Sequence, residues 1–382
     1  MFKVLVWDYM GVSSQWLEQV ADKKDIEIVG TITPSEAVPE ILLKKDAWDW
    51  LLIFEQGMRN FFDVTTRILK LPLDKVIYAL DMNSWLQHPK AIYTLLNDSD
   101  KVGIRKRLMV NELKKTNAFF TCTVENLSYI APSTDPFRVP HMFINNVNWA
   151  SKDMKRFHEL SKQYYDVDDS AGYFLDLGAN IGTSGLYFCK NLAPNLKLLA
   201  FEPDPENYKM HRVNMILNDL DEKTSLINCG LADAESELML YRNDLNSGAN
   251  GFIKHDKSKP IATVKIIPLD SYLAENKIPA QEVKYIWLDT EGFEDKVLVG
   301  AKNLLRENPV PIFMECNLKA WDNSGCFEDM MSLLAESYSH LIHVWGGKTT
   351  LYPLENLQTV GNPNANIGAN GDIFLIRKGA ID

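Results

Sequence analysis

The chain has 382 residues, 46% of them hydrophobic and 24% charged, with a formal net charge of −11. The length suits two domains, the composition is that of a soluble globular protein, and the acidic balance argues against nucleic acid or an anionic membrane as the main partner, because phosphate binding needs a basic face. The five cysteines (Cys122, Cys189, Cys229, Cys316 and Cys326) are scattered without a C-x-x-C pair, so free thiols and no zinc site are expected.

The first eight residues, Met1 to Asp8, lack a basic leader region and meet an acid too early for a signal peptide. No apolar run reaches ~18–20 residues, so no membrane span is expected and the cytoplasm is the expected location. Lys3–Asp8 (KVLVWD) reads as a buried strand, followed by strands at Glu27–Thr31, Asp49–Phe54 and Lys75–Ala79. Helices are expected over Gln15–Ala21, Ser35–Lys44 and Met58–Leu69. The alternation predicts a small Rossmann-like α/β domain over residues 1–118. Its first turn, D-Y-M-G-V-S-S, holds a single glycine and fails the dinucleotide fingerprint. The readings for this domain are acceptor recognition or a scaffold for assembly into a homo-oligomer, with nucleotide binding a lesser option.

Pro89–Asn97 and Gly103–Lys115 read as helices joining the domains. Residues 119–165 read as a connector. Its first part carries Pro132, Pro136 and Pro140 but is too apolar to stay in water, so a hairpin-like or irregular structure is expected. A helix, Asp153–Tyr165, follows with Ser151 as its cap and Met154, Phe157, Leu160, Ser161 and Tyr164 on one face.

Tyr173–Ser184 (YFLDLGANIGTS) is the most informative stretch. Tyr173–Leu177 is a short apolar run suited to a doubly covered parallel strand, with Asp176 near its end. A turn with Gly178, Asn180 and Gly182 follows, then a helix-like stretch with Thr183 or Ser184 placed to cap it. Strand, glycine turn and helix start together hold nucleotide-like ligands. The dinucleotide pattern needs glycine where Asn180 and Thr183 stand; the pattern is D-x-G-x-N-x-G. An acid at the strand end favours a ligand with an ammonium and a ribose, as in S-adenosylmethionine. Lys197–Phe201 reads as the next strand and leads to Glu202, 26 residues after Asp176, near the offset at which an acid grips ribose hydroxyls.

Ser225–Leu231 reads as a third strand, Glu237–Arg242 as a pairing strand and Asn243–Lys259 as a polar loop. Tyr285–Leu288 reads as a central strand ended by Asp289, with Thr290 capping a helix that carries Glu291, Glu294 and Val297. Acids in a first helical turn also stabilise the helix itself, by ~0.3–1 kcal/mol. Glu315 ends a strand at Pro311–Met314; Phe327–Glu336 reads as a helix, and Leu341–Trp345 and Ile373–Ile376 as closing strands around a loop at Gly361–Gly371.

These motifs resemble the FkbM family of S-adenosylmethionine-dependent methyltransferases over about Tyr173–Asn317. The resemblance rests on FLDLGANIGTS, AFEPDPENY with Asn214 further on, NCGLAD, IPLDSYL, and WLDTEGFEDKVLVGA followed by MECN. It implies a class I methyltransferase domain over residues 166–382, with a seven-stranded sheet, and methyl transfer to a hydroxyl of a saccharide, glycan or natural product. On that architecture Asp176 reaches the methionine ammonium directly or through water, and the adenine sits beside Asn228–Leu231, which makes Asn228 a candidate. The pre-domain helix covers the cofactor or packs on the sheet, and Tyr129, Trp149, Tyr164 and Tyr165 are candidate lid aromatics. Asp289 is the first choice for general base or acceptor-orienting group, with Glu291 and Glu315 beside it. No histidine is spaced to complete a cation site with these acids, so no metal is expected. An N-methyltransferase, a non-catalytic binding or assembly protein, and a nicotinamide oxidoreductase are the alternatives.

Overall fold

The computed structural model describes residues 2–8, 26–33, 40–44, 46–55, 70–72, 75–78, 112–116, 119–132, 138–242, 250–254, 258–345, 348–360 and 371–381, with the isolated residues 13, 17, 18, 102, 106, 107, 109, 110 and 135. The helices expected at Met58–Leu69 and Pro89–Asn97 lie outside the described residues, as do most of Gln15–Ala21, residues 35–39, residues 243–249 and residues 361–370. The chain divides into two compact units, Met1–Thr116 and Asn117–Asp382.

The first unit contains a sheet of β1 (Phe2–Asp8), β2 (Ile26–Ile32), β3 (Trp50–Phe54) and β4 (Val76–Tyr78), in the order β2-β1-β3-β4. Every pairing is parallel. Parallel strands need both faces covered, and the consecutive buried run Val4, Leu5, Val6 and Trp7 meets that need. Leu5, Trp7, Leu51 and Ile53 join Ile32, Leu42, Trp48, Leu71 and Val76 in one apolar cluster.

In the second unit the stretch expected as a connector is ordered structure. β5 (Phe119–Val124) and β6 (Leu127–Pro132) form an antiparallel hairpin with strict in–out alternation. It is fastened to the helix Pro205–Leu217: the Ile130 amide donates to Asn214 Oδ1 and the Ser128 amide to Asn218 Oδ1, both at 2.8 Å. Asn214 Nδ2 donates to the Ile181 carbonyl at 2.8 Å, so one buried amide ties hairpin, helix and glycine turn together.

The main sheet has eight strands, one more than expected. β7 (Tyr173–Leu177), β8 (Lys197–Phe201), β9 (Thr224–Ile227), β13 (Val283–Leu288), β14 (Ile312–Glu315), β15 (Tyr338–Trp345), β16 (Lys348–Pro353) and β17 (Asp372–Arg377) lie in the order β16-β15-β17-β14-β13-β7-β8-β9. The five strands from β14 to β9 are parallel, and β17, β15 and β16 are antiparallel. The extra strand β16 (KTTLYP) is largely exposed and has no apolar alternation to mark it. The third strand stops at Ile227, earlier than expected. Gly230–Leu231 (β10) pairs instead with β12 (Lys259–Ile267), which also pairs with β11 (Ser236–Arg242).

The helix Ser151–Tyr164 packs on this sheet through Phe157, which is fully buried with its ring 5.6–6.3 Å from those of Phe174, Tyr285, Trp287, Phe313 and Phe374. Ser151 begins the helix and does not cap it: its hydroxyl donates back to the Asn148 carbonyl. Two of the candidate lid aromatics are core residues. Tyr129 is fully buried and accepts from Asn148 Nδ2 at 2.7 Å; Tyr165 donates its hydroxyl to the Leu375 carbonyl at 2.8 Å. Trp149 is 43% exposed. Strand order reverses between β7 and β13, where open α/β sheets bind ligands beyond the strand carboxyl ends. Register brings those ends level, with Leu177 beside both Leu288 and Phe201, and Leu288 beside Met314.

Candidate active site

The turn after β7 is shaped by crowding from the protein itself. Gly178 has φ 93°, and a Cβ there would lie 1.8 Å from the Asp289 carbonyl oxygen. At Gly182, φ 90°, a Cβ would meet the buried imidazole of His211 at 2.6 Å. Glycine is required at both positions by backbone conformation and by these neighbours. Neither Thr183 nor Ser184 caps the short helix Thr183–Tyr187; Gly182 occupies the cap position without a side-chain bond. Asp176 supplies the acceptor instead. It is 1% exposed, and its Oδ2 accepts from the Gly185 amide at 2.8 Å. Its Oδ1 is buried without a hydrogen-bond partner, and burial pushes the carboxyl up to about 7.

Glu202 faces the same turn from the end of β8. Its Oε2 accepts from the Asn180 amide and its Oε1 from the Asp204 amide, each at 2.7 Å. Burial pushes it up to about 8, against the opposing effect of the amides. A carboxylate has about four lone-pair sites, so two bound amides leave capacity for hydroxyl donors. Asp204 caps the next helix by accepting from the Glu206 amide, with Pro205 in its first turn. Asn228 donates to the Glu202 and Pro203 carbonyls, which fastens this corner.

After β13 the D-T-E-G turn differs from expectation. Glu291 has φ 55° and lies outside the helix, which begins at Glu294 with Phe293 as cap. Thr290 therefore does not cap it. The fully buried Glu294 turns back: Oε1 accepts from the Thr290 amide (2.8 Å), the Thr290 hydroxyl (3.0 Å) and the Gly292 amide (3.2 Å), and Oε2 accepts from Trp321 Nε1 (3.0 Å). Its role is to hold the turn that carries Asp289 and Glu291. Burial and the neighbouring Asp289 push Glu291 up to about 9, and burial also raises Asp289, opposed by the nearby Arg138 guanidinium. Glu315 is raised by burial and by the surrounding acids, and its Oε2 is buried without a partner.

Two cavities meet at Gly178, Asn180 and Asp289. Among the described residues, the first is also lined by Phe201, Glu202, Cys229, Gly230, Phe252 and Glu291. The second, ≈ 160 Å³, is lined by Arg138, Trp149, Asp153, Thr183, Ser184 and Asp372. Asp176, Gly182, Asn228 and Glu315 line neither cavity. Trp149, a candidate lid aromatic, lines the second cavity, whereas Arg138, Asp153 and Asp372 were not legible as site residues, because no local pattern marks them and they converge only through the hairpin-to-helix segment and β17. Among the described residues no group of three or more His, Cys, Asp or Glu side chains is arranged to hold a metal ion, and no helix is long and apolar enough to cross a membrane.

Comparison with known proteins points one way. Residues 176–341 match the family described as the methyltransferase FkbM domain. The methyltransferase sdnD of Sordaria araneosa is 34% identical over 97 residues, 25% of this chain and 37% of that protein, so the match spans little more than a third of the relative's length. Among solved structures, methyltransferase FkbM from Methylobacillus flagellatus KT is 13% identical over 97% of this chain and 89% of that one, with a TM-score of 0.38. A putative O-methyltransferase from Klebsiella pneumoniae is 14% identical over 60% and 80%, with a TM-score of 0.35. Scores this low carry no weight, and the fold rests on the strand order above. The sequence match and the motifs at the strand ends agree on the same region: residues 176–341 of this chain match the methyltransferase FkbM domain.

Proposed function

We propose that the second unit is an S-adenosylmethionine-dependent O-methyltransferase acting on a hydroxyl of a saccharide, glycan or natural-product acceptor. The observation that carries this reading is the meeting of Glu202, the Gly178–Asn180 turn and Asp289 at the level ends of adjacent strands, around two joined cavities. When bound, the cofactor supplies an activated methyl on a sulfonium. The residues present fit it: Glu202 has acceptor capacity for ribose hydroxyls, and Cys229 and Gly230 line the place for a flat ring. The first cavity is narrow, ≈ 40 Å³, and the Phe252 ring lies against Gly230 in its wall.

At the shared edge Asp289 accepts the proton of the acceptor hydroxyl as the new carbon–oxygen bond forms. Burial raises its affinity for protons, against the opposing Arg138 guanidinium, and a stronger base takes the proton more readily. Glu291 is protonated at neutral pH and donates a hydrogen bond to an acceptor oxygen. The alignment held by Glu294 and the glycine turn supplies most of the acceleration, since orientation alone replaces a large entropic cost.

The test is a thermal-shift titration of the full chain with S-adenosylhomocysteine, beside NADH and a nucleotide sugar. At ~100 times its dissociation constant, S-adenosylhomocysteine adds ~2.7 kcal/mol of stability. Glu202→Gln abolishes that increment. A shift seen only with NADH or the nucleotide sugar, or none at all, rejects the reading.

A further inference from the structure

The second cavity carries a specific charge pattern. Arg138, at the start of the helix Arg138–Asn145, shares it with the carboxyls of Asp153, Asp289 and Asp372. Among the described residues, no hydrogen bond or ion pair within 4.0 Å occupies the Arg138 guanidinium. Its charge instead acts through space on Asp289 and Glu291. Asp372 lies in the field of both Asp289 and Asp153; Arg156, which does not line the cavity, acts on Asp153 and Asp372 in the opposite sense. One wall thus offers an uncommitted cation, and another a set of crowded acids.

A neutral polyol would leave the guanidinium without an anion, and a dianion would be repelled by the three carboxyls. A group with one carboxylate and one ammonium on neighbouring atoms satisfies both walls. Planar guanidinium binds a carboxylate through two parallel hydrogen bonds, which fixes orientation as well as charge. The cavity joins the first one at Gly178, Asn180 and Asp289, so a chain of a few carbons attached to a nucleoside in the first cavity reaches it.

We infer that the second cavity receives the amino-acid end of the cofactor, with Arg138 binding its α-carboxylate and Asp153 and Asp372 facing its ammonium. This rests on the cofactor reading proposed above. It moves the ammonium away from Asp176, whose carboxyl is bound to the Gly185 amide and lines neither cavity.

The experiment is calorimetric titration of the full chain with three ligands: S-adenosylhomocysteine, its decarboxylated analogue and 5′-methylthioadenosine. Wild type binds S-adenosylhomocysteine on the order of 10–100-fold more tightly than the decarboxylated analogue, the range expected for a charge-assisted pair. In Arg138→Gln the two affinities converge to within about threefold, while 5′-methylthioadenosine binding changes by less than about threefold. Equal wild-type affinity for S-adenosylhomocysteine and the decarboxylated analogue overturns the inference and leaves the cofactor reading standing. Unchanged S-adenosylhomocysteine binding in Arg138→Gln, or an equal loss for all three ligands, overturns it as well. Failure of wild type to bind any of the three rejects the cofactor reading itself. If Arg138→Gln does not fold, the wild-type comparison still decides.

Discussion

Replacing Glu294 by Gln isolates the contact that holds the D-T-E-G turn after β13. The carboxylate accepts four donors, three from Thr290 and Gly292 and one from Trp321. A carboxamide has one oxygen and one NH₂, so it cannot serve both sides. Keeping the oxygen on the turn preserves three bonds and sets the NH₂ against Trp321 Nε1, inside a fully buried contact. The cost is one unpaired buried donor formerly bonded to a carboxylate, ~1–3 kcal/mol. Glu294→Ala frees the buried Gly292 amide as well and is expected to cost ~3–5 kcal/mol, since two orphaned donors and a lost side chain combine. Urea unfolding of the full chain, read by tryptophan fluorescence and far-UV circular dichroism, measures both. Trp321→Phe removes the opposing donor, so Gln at 294 costs ~1 kcal/mol less in that background than alone. A loss below ~0.5 kcal/mol for Glu294→Gln, or strict additivity with Trp321→Phe, refutes this account of the turn.

Two further outcomes follow from the acids. Burial holds Asp176 and Asp372 near 7, Glu202 near 8 and Glu291 near 9, whereas in the unfolded chain such groups titrate near ~4. Between those limits the folded state binds more protons than the unfolded one, so the stability these groups contribute is full below about pH 4 and falls as pH rises towards about 9. Denaturant midpoints taken across that window check the slope, Asp372→Asn flattens it, and a midpoint that climbs with pH sinks the idea. Asp289→Asn lowers kcat by ~10²–10⁴-fold once an acceptor is identified, with S-adenosylhomocysteine binding weakened far less. A variant retaining more than about a fifth of wild-type turnover ends its assignment as base.

Much of the site was readable where chemistry is local. Asp204-Pro205 signals a helix start from side-chain and ring geometry alone, and the helix begins there. Gly178 and Gly182 mark positive φ, which the turn requires. The directions in which polar groups point were not readable. Glu294 looks like a first-turn helix acid, yet its bonds run back to the turn and across to Trp321, 27 residues away in sequence. Asp176 gives one oxygen to the Gly185 amide and keeps the other, Oδ1, without a partner, a division that its place at the strand end does not announce.

From its order of residues alone, this chain determines the strands Tyr173–Leu177 and Lys197–Phe201, the glycine turn between β7 and its helix, and the acid at Glu202, because periodicity and backbone preference act over a few residues. The tertiary structure alone decided that Arg138, Asp153, Asp289 and Asp372 border one cavity. It alone placed the polar strand Lys348–Pro353 on the sheet edge, through pairing with β15. These outcomes depend on packing and hydrogen bonds between distant segments, whose energies are settled only when the whole sheet and the helix carrying Phe157 have come together.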